Sequence, residues 1–538
     1  MNINPIYQKE WFKLKRYAFA LAAAAIVLGY YFWFDLAGQY ANIEPESMMW
    51  YRFSHLGDKP YSWLLYYFVL VGGVVAACQF VPEIIGRKLR ILTHLPVSLN
   101  SLVFRHLSAG ILLILLVNAT LSLLVTLAFS RYYPSDIVQV AIRDILFGQL
   151  PAIAIYLGLA AVIIESNWRR KTTKFIVAAL ATFVMLKEQY MLADAAWLLV
   201  LIWLTFPVKD SFLSVKTRRI ENKGFLVSIP LVAILLAGNS GVRLHNEYAV
   251  EHTKYYVFYS SVLNDFVYQE NGANHTFFYG TLTEQLKKDD FEESLPFVYW
   301  KNLDIQGKLP VTIDGVTYNK NQIRKSRMSL QYDPTRLNKP EVALYPFFNP
   351  ISHKGSIRFP ENAFALKSDR FEVYAAETAA PNVDLTEEVN QLAAKENVNF
   401  PIREVWGKTT NMKPFDWGYF IKDDVGKIFN LNRADDLVHL NPVNIPDEVG
   451  NIDYIQVSEN RHKKFYGYAV TDKSKVYLIS YPDYQFIPLE LDGFDHKTMT
   501  FQFLSDPLYY VMRFDDGESY SAVRFDKDYN RLDSAEFR

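Results

Sequence analysis

The chain has 538 residues, a net charge of −1 and a single cysteine, and half of its residues are hydrophobic. The balanced charge excludes the basic field that recruits nucleic acid, and one cysteine excludes a disulfide framework within the chain. Apolar runs crowd the first half and charged residues return after it, so the sequence predicts two domains, residues 1–242 and 243–538.

The first domain is predicted to be an all-α membrane bundle of about seven transmembrane helices. A helix needs about 20 apolar residues to cross the hydrocarbon core. The stretch from Phe175 to Val208 is too long for one span and is interrupted by charged residues, so we divide it at a turn over Lys187–Tyr190. The predicted spans are Tyr17–Ala37, Trp63–Ile85, Leu107–Phe129, Ile145–Ile164, Phe175–Leu186, Met191–Pro207 and Phe225–Gly241.

The distribution of basic residues predicts the orientation of this bundle. Lysine and arginine are enriched in short cytoplasmic loops of membrane proteins. With seven spans the basic segments all fall on one side, which places the N-terminus in the cytosol and the second domain outside it. These segments contain Lys9, Lys13, Lys15 and Arg16; Arg87, Lys88, Arg90 and Arg105; Arg169, Arg170, Lys171 and Lys174; and Lys209, Lys216, Arg218, Arg219 and Lys223.

The connection between the second and third spans has an amphipathic pattern. Glu83 and Gly86 end the second span, and a short helix follows. Pro96 stops that helix and Ser98 can cap the next one. The apolar side of the short helix is formed by Leu89, Leu92 and Leu95.

This connection resembles that of the permease subunits of ABC-2-type transporters, in which the second span is followed by a Glu…Gly…Leu…Leu-Pro-Val-Ser segment. The segment Tyr7–Arg16 is similar to the family's interfacial elbow helix, with Trp11, Phe12 and Leu14 among basic residues. The resemblance covers about residues 1–240. It departs from the family in its seventh span, and the family's acidic pair is reduced to Glu83.

The resemblance implies a transport subunit of a bacterial cytoplasmic (inner) membrane. In that family the short helix docks on a separate cytosolic ABC ATPase, and two permease bundles, from a second copy or a sister permease, form the pathway. The chain itself is expected to have no enzymatic activity and no cofactor. Consistent with this, Gly407-Lys408-Thr409 lacks the first glycine of a P-loop, because Ile402 holds that place.

Polar residues within the predicted spans are few. Asn118 lies in the middle of the third span, where it can form a hydrogen bond to a neighbouring helix. Asp194 lies just inside the sixth span. Four acids, Asp35, Glu83, Asp144 and Glu165, are near span ends, where solvation by the interface is expected. Without a chain of buried acids, a proton-coupled pump is not indicated.

The second domain is predicted to be soluble and mainly β. Segments that begin at Gly418, Gly467 and Tyr509 each contain a strand, a polar turn and a second strand, at a spacing typical of propeller blades. A propeller-like fold and a curved stack of sheets both fit this repeat. One helix, Leu385–Glu396, is expected, with Asp384 at its start. The domain otherwise resembles only an uncharacterised class of bacterial membrane-anchored domains.

We therefore expect the transmembrane permease subunit of an ABC-type transport complex, whose extracytoplasmic domain contacts cargo or a partner. The alternative is a membrane-anchored extracytoplasmic sensor or binding protein without transport activity. A membrane enzyme is the third possibility, and it would need a polar cluster that converges at the membrane surface.

Overall fold

The computed structural model describes residues 5–43, 46–86, 88–93, 96–187, 197–217, 223–236, 238, 254–272, 276–338 and 342–537. The chain forms two compact units, a helical unit within Met1–Ala249 and a β-rich unit that contains Val250–Ala376 and Pro381–Arg538. The domain boundary predicted at residues 242–243 lies outside the described residues.

The helical unit contains ten described helices, seven of which correspond to the predicted spans. Their bounds are α1 Pro5–Asn42, α2 Glu46–Ser54, α3 Leu65–Ile85, α4 Lys88–Thr93, α5 Leu99–Tyr132, α6 Ser135–Phe147, α7 Gln149–Ile164, α8 Trp168–Lys187, α9 Trp197–Thr217 and α10 Lys223–Leu236.

The apolar helices indicate a multi-pass membrane protein. Among the described residues, five helical segments are long and apolar enough to cross a membrane, and Gly224–Leu235 is a shorter apolar helix. The five segments are Pro5–Asn42, Ser62–Ile85, Leu99–Tyr132, Ser135–Ile164 and Trp197–Lys216. The stretch that we divided in two forms separate helices, α8 and α9, and most of the predicted turn between them lies outside the described residues.

Helix α7 is at the centre of the helical unit, where it packs against α3, α8 and α9, while α1 packs along α5. Small residues allow these close approaches. A Cβ atom added at Gly158 would lie 2.0 Å from the Cβ of Ala178, and one added at Gly72 would lie 2.2 Å from the Ala152 carbonyl oxygen. Neither position has room for a side chain.

The described part of the β-rich unit consists of short antiparallel strands and four α-helices. Its strands are β1 Lys254–Ser260, β2 Asp265–Asn271, β3 Phe277–Thr281, β4 Gln285–Leu286, β5 Val311–Ile313, β6 Val316–Tyr318, β7 Met328–Tyr332, β8 Leu344–Pro346, β9 Asn362–Leu366, β10 Phe371–Ala375, β11 Ala380–Pro381, β12 Glu404–Gly407, β13 Tyr419–Lys422, β14 Ile428–Ala434, β15 Leu437–Val443, β16 Ile452–Val457, β17 Phe465–Thr471, β18 Val476–Ser480, β19 Phe486–Leu489, β20 Thr500–Ser505, β21 Tyr510–Asp515, β22 Tyr520–Phe525 and β23 Arg531–Phe537. Its helices are α11 Lys288–Ser294, α12 Trp300–Ile305, α13 Lys320–Ser326 and α14 Val383–Lys395.

Consecutive strands form successive four-stranded meanders. These meanders are β1–β4, β8–β11, β12–β15, β16–β19 and β20–β23, and β7 extends the last of them at the free edge of β20. Strands β5 and β6 form a separate two-stranded sheet. The three predicted repeats fall on the second and third strands of three successive sheets. Each copy of the repeat is the central hairpin of one four-stranded meander. The repeating unit of the structure is therefore one sheet.

The sheets pack face to face in one series. Alternate residues of a strand point to opposite faces: in β13, Tyr419 and Ile421 contact the β8–β11 sheet, and Phe420 contacts the β16–β19 sheet. A further apolar cluster joins the β16–β19 sheet to the β20–β23 sheet. Another joins the β20–β23 sheet to strands β1 and β2. The clusters of the described residues form an open series, so a closed propeller is not shown.

Helix α14 is the helix predicted in this unit, but its cap differs from the prediction. The helix begins one residue before Asp384, and the side chain of Asn382 accepts the hydrogen bond from the Leu385 amide. Asp384 is in the first turn, where an acidic residue favours the helix dipole without capping it. Val389 and Ala393, four residues apart on one face of α14, are buried against β10 and β15.

Candidate functional site: buried charges beside a short connecting helix

The predicted connecting helix is α4, a six-residue helix between α3 and α5. Leu89 is 1% exposed, Leu92 is half-buried, and α4 packs against α3 and α9. Ile91 is 68% exposed on the opposite side. Helix α4 is therefore anchored by Leu89 and presents Ile91 outward, whereas Leu95 lies outside the described residues.

The ends of this connection follow the sequence pattern. Gly86 is the residue after α3, and its amide donates to the Pro82 carbonyl oxygen. Pro96 is exposed before α5. The Ser98 hydroxyl caps α5 by accepting from the Ser101 amide at 3.4 Å.

Glu83, in contrast, is not solvated at the helix end. It is 2% exposed, and its Oε1 atom lies 2.8 Å from Lys9 Nζ and 2.9 Å from Lys13 Nζ. Both lysines belong to the first turns of α1. A carboxylate and two ammonium groups therefore join α1 to the last turn of α3, where the sequence suggested only an interfacial residue.

A second buried carboxylate extends these contacts to α5. Glu10 is 1% exposed, lies 2.8 Å from Lys13 Nζ through Oε2, and lies 3.3 Å from His106 Nδ1 through Oε1. We call Lys9, Glu10, Lys13, Glu83 and His106 the α1–α3 charge cluster. It places two acids and two lysines beside a buried imidazole, so ion pairs join α1 to α3 and the His106 ring brings α5 to the same cluster.

Polar side chains connect this cluster to α7. Gln79 Nε2 donates to the His106 carbonyl oxygen at 2.9 Å, and the Tyr156 hydroxyl donates to Gln79 Oε1 at 2.8 Å. A Cβ atom at Gly110 would lie 2.1 Å from the Tyr156 hydroxyl. The absence of a side chain at Gly110 thus makes room for this hydrogen bond.

A further set of buried charges lies at the same end of the bundle. Lys174 Nζ is 2.8 Å from Glu165 Oε2 and 2.9 Å from Asp210 Oδ2, and it donates to Ser211 Oγ at 2.8 Å. Arg170 also pairs with Asp210. The charge pattern placed Arg170 and Lys174 in a cytoplasmic loop, but both are buried residues of α8.

Phe212 of α9 stands between the two sets of charges. Its ring centroid lies 6.3 Å from the rings of Phe80 and His106, and it directly follows Ser211.

The spacing of Arg170 and Lys174 is the sequence signal for their pairing within the bundle. They are four residues apart, which puts both cations on one face of a helix.

The elbow-like segment is continuous with the first span. Helix α1 runs unbroken from Pro5 to Asn42, so the structure has no separate elbow helix. Trp11 and Phe12 are 48% and 66% exposed, whereas Leu14 is 2% exposed and packs into the unit. Exposed aromatic residues thus occupy one side of these first turns, and Leu14 and the buried Glu10 occupy the other.

The predicted intramembrane polar residues have different outcomes. Asn118 is fully buried, and its Nδ2 atom donates to Gln149 Oε1 of α7 at 2.8 Å. Asp194 lies outside the described residues. Asp144, expected to be solvated, is 1% exposed and accepts from the Tyr61 hydroxyl at 2.6 Å and from Lys59.

The β-rich unit contains a Ser–His–Asp arrangement that the sequence did not reveal. Ser474 Oγ lies 2.9 Å from His496 Nδ1, and His496 Nε2 lies 3.3 Å from Asp453 Oδ2. His496 is 1% exposed, and its carbonyl oxygen accepts from the Tyr332 hydroxyl at 2.7 Å. The imidazole is enclosed, so the geometry favours a structural role in which these contacts hold the β17–β18 turn against the loop between β19 and β20.

A buried ion pair lies between the β12–β15 and β16–β19 sheets. Lys413 Nζ is 2.5 Å from Asp416 Oδ1 and 3.2 Å from Glu459 Oε1, and all three side chains are enclosed. Burial raises the pKa of Glu459, the Lys413 ammonium opposes that rise, and the Asp416 carboxylate adds to it. Within the described part of the chain, no group of three or more metal-ligating side chains converges.

Comparison with protein families concerns the β-rich unit. A model of the family described as a domain of unknown function (DUF4857) matches residues 256–525, half of the chain. The chain belongs to the DUF4857 family. The DUF4857 match runs from within β1 to the end of β22, so it includes the three central meanders whole and leaves out the first two residues of β1 and all of β23. No ABC-2 permease family model matches. No curated protein and no solved structure matches this DUF4857 chain.

Proposed function

We propose that this chain is the membrane permease subunit of an ABC-type transport complex, driven by a separate cytosolic ATPase, with the DUF4857 domain outside the cytosol. The observation that carries the proposal is α4, a short helix anchored by Leu89 with the apolar Ile91 exposed. In the permeases that this connection resembles, the short helix after the second span docks on the ATPase, and in α4 the side chain left open for such a contact is Ile91, with two charged neighbours. Lys88 and Arg90 are those neighbours.

The α1–α3 charge cluster supplies a path by which force on α4 would reach the spans. Helix α4 follows α3 directly, and Glu83 in the last turn of α3 is paired with Lys9 and Lys13 of α1. A displacement of α4 would therefore move α3 and, through these ion pairs, α1. This fits the expected mechanism, in which ATPase dimerisation pushes on Glu83–Ser98 and tilts the first two spans.

A second bundle completes the proposed transporter, either another copy of this chain or a sister permease. The exposed apolar side chains of α1 and α5 would face lipid or that second bundle; they include Tyr30, Phe34, Leu116 and Leu123. The basic residues at the α4 end support a cytosolic location for it. The DUF4857 domain would then receive cargo or a partner outside.

The test is affinity purification of the tagged full chain from its membrane in mild detergent, with identification of co-purifying proteins by mass spectrometry. The informative substitution is Ile91→Asp, because Ile91 is exposed and its replacement leaves the Leu89 anchor in place. We expect a P-loop ATPase to co-purify with the wild type and to be reduced about tenfold with Ile91→Asp, since a buried charge weakens an apolar contact by at least ~1.4 kcal/mol.

Leu56→Asp is the matched control. Leu56 is 61% exposed in the connection between α2 and α3, near the opposite end of α3. It should leave ATPase recovery unchanged. Equal recovery with both variants, or no ATPase with the wild type, would contradict the coupling role of α4 and favour the membrane-anchored sensor or binding protein.

A further inference from the structure

One cavity of the β-rich unit is lined by basic groups from three separate segments. Its volume is about 480 Å³, which is within the size range of small-molecule sites. Lys325 is at the end of α13, His462 and Lys464 precede β17, and Lys527 is in the turn between β22 and β23. Three ammonium groups and an imidazole thus line one concave surface.

The lining of this cavity contains no carboxylate. Its other polar side chains are Gln322, Ser326, Ser505 and the Tyr510 hydroxyl. Within the described residues, none of the three lysines has a carboxylate within ion-pair distance. The carboxylate of Asp506 lines a neighbouring cavity and accepts hydrogen bonds from the Leu508 and Tyr509 amides, both at 2.7 Å.

Lys527 is held in place by the backbone. Its ammonium donates to the carbonyl oxygens of Asp506 and Tyr509, and it lies 4.1 Å from the centroid of the Tyr510 ring. The two carbonyl oxygens accept hydrogen bonds from two of the three ammonium N–H groups. They are neutral acceptors, so the positive charge of Lys527 has no paired anion. The third donor and the charge are available to a ligand in the cavity.

The cationic groups also disfavour one another. Burial lowers the pKa of Lys527 to about 8; the Asp506 carboxylate opposes this and Lys464 adds to it. Burial lowers the pKa of His462, a hydrogen bond with the Arg327 backbone opposes this, and Lys464 and Lys527 add to it. A bound anion would relieve this repulsion between like charges.

We propose that this cavity is a binding site for a phosphate-bearing ligand. Lysine is a compact point charge that recognises phosphate without the planar fork that arginine offers to carboxylates. Three lysines with hydroxyl and amide donors suit a tetrahedral group with several oxygens. The cavity is larger than one phosphate needs, so the ligand carries a further group. The proposal does not depend on transport.

The phosphate group has two sources, a soluble phosphorylated molecule or a lipid headgroup. The test uses the purified full chain in nanodiscs of phosphatidylcholine, titrated with pyrophosphate by isothermal titration calorimetry. We expect saturable binding that weakens as sodium chloride is raised. A matched series in nanodiscs that also contain phosphatidic acid separates the sources: lost pyrophosphate binding assigns a lipid headgroup, and retained binding assigns a soluble ligand.

The informative variants are Lys464→Gln and Lys325→Gln, whose side chains are exposed and make no described hydrogen bond, so the fold does not depend on them. Each should raise the pyrophosphate Kd about tenfold, because a charge-assisted hydrogen bond is lost. Lys473→Gln, an exposed lysine in the β17–β18 turn, is the control and should leave the Kd unchanged. No saturable binding by the wild type, or an unchanged Kd with Lys464→Gln and Lys325→Gln, would overturn the site.

Discussion

Replacing Glu83 by glutamine tests whether the α1–α3 charge cluster holds the helical unit together. Glutamine keeps the size of the side chain but removes the charge that faces Lys9 and Lys13. Removing one partner of a buried ion pair costs about 3–5 kcal/mol, because the remaining charge is left buried. The Lys9 side chain is 35% exposed and retains some water, so the lower end of that range, about 3 kcal/mol, is expected.

This loss should be visible as a lower unfolding temperature. For a unit of this size, 1 kcal/mol corresponds to about 2–4 °C, so Glu83→Gln should lower the midpoint by about 6–12 °C. The assay heats the purified full chain in detergent and measures the monodisperse fraction by size-exclusion chromatography. A double variant with Lys9→Gln should recover part of the loss, because one unpaired ammonium is also removed.

The exposed ion pair between Arg52 and Asp58 provides the control. The Asp58 side chain is 44% exposed, and exposed pairs contribute only about 0–1 kcal/mol, so Asp58→Asn should have little effect. If Glu83→Gln and Asp58→Asn shift the midpoint equally, or if the double variant is no better than Glu83→Gln, then Glu83 does not form a buried ion pair and the coupling path fails.

Three further predictions concern the packing of the helical unit and the buried charges of the β-rich unit. Gly158→Val should separate α7 from α8 and destabilise the helical unit by about 1–3 kcal/mol, measured in the same heating assay. The control is Gly38→Val, at a position with open space, which should be near neutral. Lys413→Met removes the ammonium that faces the buried Asp416 carboxylate and the Glu459 carboxyl group, and it should cost about 3–5 kcal/mol in chemical unfolding followed by tryptophan fluorescence. An unchanged midpoint would contradict a stabilising role for this ion pair. Because the pKa of Glu459 is raised in the folded state, the folded chain binds the proton more tightly than the unfolded chain. The stability of the wild type should therefore fall as pH rises from the ordinary carboxyl range to that raised pKa, and a rise over that interval would refute the assignment.

The elements of the helical unit were largely accessible from the sequence. An apolar run long enough for a membrane is a local property, and charged residues that interrupt it mark where a helix ends. For this reason α3 and α4 appear close to where the pattern predicts them. The exception is the start of α1, where basic and aromatic residues suggested a separate interfacial helix but the helix continues without a break.

The partners of the charged residues were not accessible in this way. Glu83 and Lys9 are more than 70 positions apart, and Lys174 and Asp210 are 36 apart, so no local spacing shows that they meet. Sequence reasoning placed Glu83 and Glu165 in interfacial water and Lys174 in a loop. Packing of α1, α3, α7, α8 and α9 removes that water and brings acid and base together.

In the β-rich unit, the hairpin repeat with its polar turns came from the sequence, because strand alternation and turn chemistry are local. The order in which the sheets pack and the grouping of lysines around one cavity depend on residues distant in the chain. The cap of α14 is local, and the sequence pattern placed it two residues too late, at Asp384 instead of Asn382. By itself the sequence determined a membrane-type helical half and a β-rich half, because apolar length and strand periodicity act over one element. The tertiary structure alone decided which charges are buried and paired, because burial depends on which elements meet.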